Sequence, residues 1–249
     1  MLSVIRKDIN SDSLRQWPER YKQSYKSIKQ LKGIFEMKHS TKAEIILSQL
    51  NDKSKLGDIK KLATEIKKDH DLALELWSTG KHFARLLAVL IIDKKYLTQE
   101  LIDKLVNDIK GQKEDERSQL IDWLMANQLS KDKKTIALMD SWENSSSSLQ
   151  RRIFWYYQAR LRWMGQEPPT SNDELLSKIE KKIEKEEPEV QWAMSFLAGW
   201  IGVYDKKNRN RCMALGERTG LYKGEMVSKG CTPDYLPEFI AIECAKRNL

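Results

Sequence analysis

The sequence predicts an all-α protein, a curved α-solenoid built of HEAT-like helical-hairpin repeats. Three observations predict it. Apolar residues recur at helical spacing along most of the chain, and runs of alternating Val, Ile and Thr are absent. Glycine (11) and proline (6) are sparse in 249 residues, while 32% of residues are charged, mostly Lys and Glu, which suits long amphipathic helices. A helix–turn–helix pattern also occurs three times. It appears around Trp77-Ser78-Thr79-Gly80, around Trp142 with the serine run behind it, and around Glu187-Pro188-Glu189.

In chain order, residues 1–40 read as a basic N-terminal helical extension, with Trp17, Tyr21, Ile28 and Leu31 on one helical face. Residues 41–249 read as one repeat domain. Thr41-Lys42-Ala43-Glu44 has the form of a capping box opening a short helix to about Leu50. Ile59, Leu62, Ala63 and Ile66 line the next helix, opposite Lys60, Lys61, Lys67 and Lys68. Residues 72–77 end against the Ser78-Thr79-Gly80 turn, and residues 81–92 form a helix apolar on nearly every side, interrupted by Arg85. Thr98 caps a helix carrying Leu101, Ile102, Leu105, Val106 and Ile109. Leu120, Ile121, Leu124 and Met125 mark another.

Residues 136–142 start the next hairpin. Its partner, residues 149–163, carries Arg151, Arg152, Arg160 and Arg162 beside five aromatics. Ser171-Asn172-Asp173-Glu174 is a second capping box. Pro188 starts an uncharged helix, residues 208–219 form another ending near Gly220, and Pro237 sits in the first turn of a final helix. Anchor residues recur at roughly 35–41 residues, near the HEAT range. In such a stack the second helices of successive hairpins line one concave wall. Arg85, Arg151, Arg152 and Trp192 are expected to face that wall or lie just beneath it.

The net charge of +8 favours an anionic partner. Three cysteines without a close pair, Cys212, Cys231 and Cys244, speak against a disulfide frame and a structural zinc site, and for a reducing compartment. The longest uncharged run, residues 190–204, falls short of the roughly 20 residues that span a bilayer. No membrane association is expected, and the cytosol is the expected location. Asp69-His70-Asp71 has metal-ligand residue types, but successive helical residues diverge by about 100° and cannot converge on one ion. No His-Glu-x-x-His, Walker loop or Gly-x-Ser-x-Gly occurs. No cofactor and no metal are expected. Gly216, Gly220 and Gly224 read as helix caps, and His82 as structural. Arg151 and Arg152 beside Trp155, Tyr156 and Tyr157 form the densest basic–aromatic cluster. It suits phosphate clamping, or arginine stacking on core aromatics.

The segment Leu76-Trp77-Ser78-Thr79-Gly80-Lys81-His82-Phe83-Ala84-Arg85-Leu86-Leu87-Ala88 resembles part of the bacterial DNA alkylation-repair family with HEAT-like repeats, which includes AlkD-type alkylpurine DNA glycosylases. The tail Gly230-Cys231-Thr232-Pro233-Asp234-Tyr235-Leu236-Pro237-Glu238-Phe239-Ile240 is similar to the C-terminal segment of many relatives, and the resemblance runs from about residue 55 to the end. It implies a basic channel around double-stranded DNA and hydrolysis of the N-glycosidic bond of cationic N3- or N7-alkylated purines. A carboxylate would stabilise the oxocarbenium-like sugar, and tryptophans would meet the sugar and the cationic base.

The family's Trp-Asp-x-x-Asp segment corresponds to Ser118-Gln119-Leu120-Ile121-Asp122, which makes Asp122 the expected catalytic carboxylate. Ser118 stands where the family has tryptophan, and Gln119 where it has aspartate. Trp123, one residue out of register, points about 100° away and does not replace the lost ring. The family's arginine matches Arg151 or Arg152. Arg85, Arg151, Arg152 and Trp192 are the expected nucleic-acid-binding residues, on a chain expected to act as a monomer. Because Asp122 and the arginine pair are kept, an alkylpurine DNA glycosylase is the expected function; the Ser118 and Gln119 departures set two alternatives beside it, a non-catalytic DNA-binding relative, or a helical-repeat protein scaffold marked by an apolar stripe in place of a basic one.

Overall fold

The computed structural model describes residues 40–249, apart from residues 52, 167 and 169. Expectations for residues 1–39, including the Trp17–Leu31 stripe, lie outside the described residues. The chain divides into two units between Ile46 and Leu47, and Leu47–Leu249 is compact. The second unit carries the site.

Twelve α-helices and no strand occur among the described residues. They are α1 (Thr41–Gln49), α2 (Leu56–Ile66), α3 (His70–Ser78), α4 (His82–Ile91), α5 (Gln99–Lys110) and α6 (Glu114–Asn127). They continue as α7 (Lys133–Asp140), α8 (Ser148–Trp163), α9 (Asn172–Lys182), α10 (Pro188–Tyr204), α11 (Arg209–Thr219) and α12 (Leu236–Arg247). The hairpins are α3–α4, α5–α6, α7–α8 and α9–α10. Their second helices pack in succession, α4 on α6, α6 on α8 and α8 on α10, with α8–α10 the most extensive pairing. This is a stack of helical hairpins, with α11 and α12 packed on α10 at the C-terminal end.

Local chemistry explains the helix ends. Asp69, Thr98, Asp132 and Ser171 each accept a backbone N–H of the first turn, capping α3, α5, α7 and α9. Asp69 thus caps α3, and the ring of His70 leans on Tyr96, 4.4 Å away. α7 starts at Lys133, earlier than residue 136, because Asp132 caps it there. Pro188 occupies the first turn of α10, where its missing N–H costs nothing. Gly220 ends α11 in the left-handed region (φ 62°). Gly216, expected as a cap, lies inside α11. A Cβ there would stand 2.6 Å from Cβ of Leu236 and Cδ of Pro237, so this glycine lets α12 approach.

The core follows the second helices. Leu86, Leu87 and Ile91 of α4, Leu120, Ile121 and Leu124 of α6, Ile153 and Trp155 of α8, and Val190, Met194 and Leu197 of α10 are all buried. Among the described residues no helix is long and apolar enough to cross a membrane.

Candidate functional site

Where α6, α8 and α10 meet, an open cavity of about 400 Å³ is lined by Glu114, Ser118 and Asp122 of α6, Arg152 of α8, Pro188, Glu189 and Trp192 of α10, and Tyr222. Helical spacing makes the α6 wall. Glu114, Ser118 and Asp122 are four residues apart, so they stack along one face.

The centre of the site is an ion pair. Arg152 donates from Nε to Oδ1 of Asp122 at 2.9 Å and from Nη2 to Oδ2 at 2.7 Å, a two-pronged pairing. Its Nη1 donates to the carbonyl of Glu189 at 3.0 Å. The guanidinium lies 4.4 Å from the ring of Trp192, in cation–π range. Arg152 is almost wholly buried, with 5% of its side chain exposed, whereas Asp122 keeps 23%. Burial pushes the Asp122 carboxyl above the usual carboxylate range, and the Arg152 guanidinium opposes that rise.

The C-terminal segment completes the site. Trp192 donates its indole N–H to Oδ2 of Asp234 at 2.9 Å. Burial raises the Asp234 carboxyl, against the pull of this bond. Tyr222 holds a left-handed backbone (φ 64°), uncommon for a large side chain. Its phenol is pushed up to about 12 by burial and by the charges of Asp234 and Glu225. Glu189 accepts from Ser148 Oγ at 2.9 Å, and Arg117 lies 3.9 Å away.

The structure therefore gathers Asp122, Arg152 and Trp192 at one cavity, and leaves Arg151 and Arg85 out of it. Arg151 binds Glu186 at 2.9 Å, Glu187, and the carbonyl of Ser145 at 2.7 Å, which ties the start of α8 to the loop before α10. Arg85 does not face a ligand surface. It is 8% exposed, donates to the carbonyls of Trp77 (3.2 Å) and Asp108 (2.9 Å), and stacks at 5.0 Å on Trp77, whose indole N–H bonds Asp108. Its charge is spent on bridging α3, α4 and α5, because a cation within an apolar helix must find carbonyls. Trp123 donates to the carbonyl of Leu86, on the α4 side of α6, away from the cavity. Gln119 bonds Nε2 of His82 at 2.6 Å.

The lining departs from the basic channel that the family resemblance implies. Three carboxylates, Glu114, Asp122 and Glu189, face one guanidinium. Sequence reasoning missed Glu114, Glu189, Tyr222 and Asp234. Glu114 was reachable as two turns before Asp122. Tyr222 gave no signal, since its place depends on a left-handed turn that a tyrosine does not announce.

The chain matches the family model described as DNA alkylation repair enzyme over residues 54–209, well over half its length. Comparison with curated proteins gives no match. Among solved structures, one is similar at 18% identity with a TM-score of 0.61, covering 89% of this chain and 95% of that one. It is described as belonging to a new family of proteins related to the HEAT-like repeat DNA glycosylases with affinity for branched DNA structures. That likeness carries the fold.

Proposed function

Since the chain belongs to the DNA alkylation repair enzyme family, we propose that it is a DNA-binding repair protein that meets its DNA at the Asp122–Arg152–Trp192 cavity. The convergence of those three side chains from three separate helices carries this reading. The lining carboxylates repel phosphate, so phosphates would lie along the rim, and the cavity would receive a sugar or a base.

The geometry favours binding without base release. Excision of a cationic alkylpurine needs an available carboxylate beside the sugar and an aromatic face for the cation. Here both oxygens of Asp122 are held by Arg152, and the same guanidinium already lies on Trp192. Ser118 supplies a hydroxyl where the family resemblance places a tryptophan. The second reading, hydrolysis of N3- or N7-alkylated purines from duplex DNA, is favoured by the presence of Asp122 in the cavity. It requires Arg152 to move off both partners when DNA enters.

One experiment separates the two. Wild type and Asp122→Asn are incubated in excess with methylated duplex, and released 7-methylguanine and 3-methyladenine are quantified beside binding at low salt. Binding without release is expected. Release by wild type that Asp122→Asn abolishes would establish the glycosylase, and absence of binding would remove both readings. The structural neighbour's described affinity makes branched DNA the first substrate to compare with blunt duplex.

A further inference from the structure

From Trp192 in the cavity, α10 extends a row of aromatic side chains beyond the site. Trp192, Phe196, Trp200 and Tyr204 recur at every fourth residue and so share one helical face, roughly 18 Å long. Phe196 lies nearly parallel to Trp192 (5.0 Å, 11°). At the far end, Trp163 of α8 and Tyr204 both lie nearly parallel to Trp200, at 5.9 Å and 15° and at 5.8 Å and 20°. Trp200 is the buried floor, while Trp163 and Tyr204 are 43% and 46% exposed. Two large rings, aligned through a third and half open to solvent, are not required for the core.

Cations accompany the rings. The Arg247 guanidinium stands 4.8 Å over Trp200 and donates to Oη of Tyr204 at 3.2 Å. Arg160 shares the α8 face with Tyr156 and Trp163 by helical spacing. Flat rings beside guanidinium groups fit a ligand that alternates flat aromatic faces with anionic links, as an unpaired DNA strand does. In a duplex those faces are covered by neighbouring bases. An apolar peptide would use the rings but not the arginines.

We propose that Trp163 and Tyr204 form a stacking platform for the bases of an unpaired DNA strand that leaves the duplex at the cavity. The proposal rests on the DNA-binding reading above and adds the kind of DNA: a duplex with a single-stranded branch or tail.

The test measures fluorescence anisotropy with one duplex in three forms: blunt, with an oligothymidine tail, and with an abasic sugar-phosphate tail of equal length. Wild type is compared with Trp163→Ala and Tyr204→Ala, made separately so that misfolding of one leaves the other. The thymidine tail should tighten wild-type binding about tenfold, the scale of one stacked base. Each variant should lose most of that gain and bind the blunt duplex as wild type does. A tail that adds nothing, an abasic tail that works as well as thymidine, or variants weakened equally on all three forms would overturn the platform and leave DNA binding standing. No binding of any form at low salt would overturn both.

Discussion

Arg151 and Arg152 are neighbours on α8, and the ~100° between successive helical residues sends their guanidinium groups to different partners. Arg152 is buried against Asp122, so Arg152→Ala would leave a desolvated carboxylate without its counter-charge. We expect a loss of roughly 3 kcal/mol, read from urea unfolding. Arg151→Ala breaks contacts to Glu186 and the largely exposed Glu187, and should cost about 1 kcal/mol. Asp122→Asn combined with Arg152→Met should recover much of the Arg152→Ala loss, because no charge is then left unpaired. Equal costs for the two arginines would contradict the geometry. The sequence could not choose between this pair, because the choice depends on which carboxylates the fold brings close. It did carry signals on both sides: Asp122 within the matched α6 segment, and Glu186-Glu187 just before Pro188. Arg85 shows the opposite failure. Its position in an apolar helix was legible, but a sequence does not reveal that the carbonyls of Trp77 and Asp108 absorb its charge.

At the scale of helices, close approach and ion pairing make different predictions. α10 meets α12 and α11 at Gly202, where a Cβ would lie 2.5 Å from Cδ1 of Ile240 and 3.1 Å from Cβ of Cys212. Gly202→Ala should destabilise by about 1–3 kcal/mol in thermal or urea unfolding. Gly57, near the start of α2, has open space around it, and Gly57→Ala should stabilise by roughly 0.5 kcal/mol. The reverse order would place the tight contact elsewhere. α9 depends on charge. Its Lys178 and Lys182 reach Glu143, and Glu180 pairs with Arg211. The Arg211 bonds hold the Glu180 carboxyl below the usual range. Burial pulls the Glu143 carboxyl up, but the two lysines outweigh it and its net shift is also downward. The unfolded chain therefore binds more protons than the folded one. This stability is fully present above the ordinary glutamate value of about 4.5 and is lost as pH falls through the lower folded values. Amide exchange should show α9 losing protection on acidification ahead of α8 and α10, and simultaneous loss would count against it. Helices and caps were readable because Thr98, Ser171 and Pro188 act on their own neighbours. Gly216 was misread because its reason lies in α12, twenty residues on.

For the molecule as a whole, the sequence carries an excess of eight positive charges, while the lining of the cavity is mainly acidic. If DNA is held by phosphates on the rim, each neutralised phosphate releases condensed counterions. The logarithm of affinity should then fall linearly with the logarithm of salt, with a slope of about −0.9 per contact. A slope of roughly −3 to −6 is expected. Glu114 sharpens the test, since it is an exposed cavity residue and its replacement should cost the fold little. Glu114→Gln removes a negative charge within a Debye length of any nearby phosphate, about 10 Å at 0.1 M salt. It should therefore tighten duplex binding two- to threefold at low salt (roughly one weak ion pair), and the gain should vanish at high salt. The same substitution should leave the increment from an unpaired thymidine tail unchanged, because stacking on Trp163 and Tyr204 depends little on ions. A salt slope near zero would mean that phosphates are not the partner. A Glu114→Gln variant that binds more weakly would mean that its carboxylate meets a cationic group of the ligand, and would return weight to recognition of an alkylated, positively charged base.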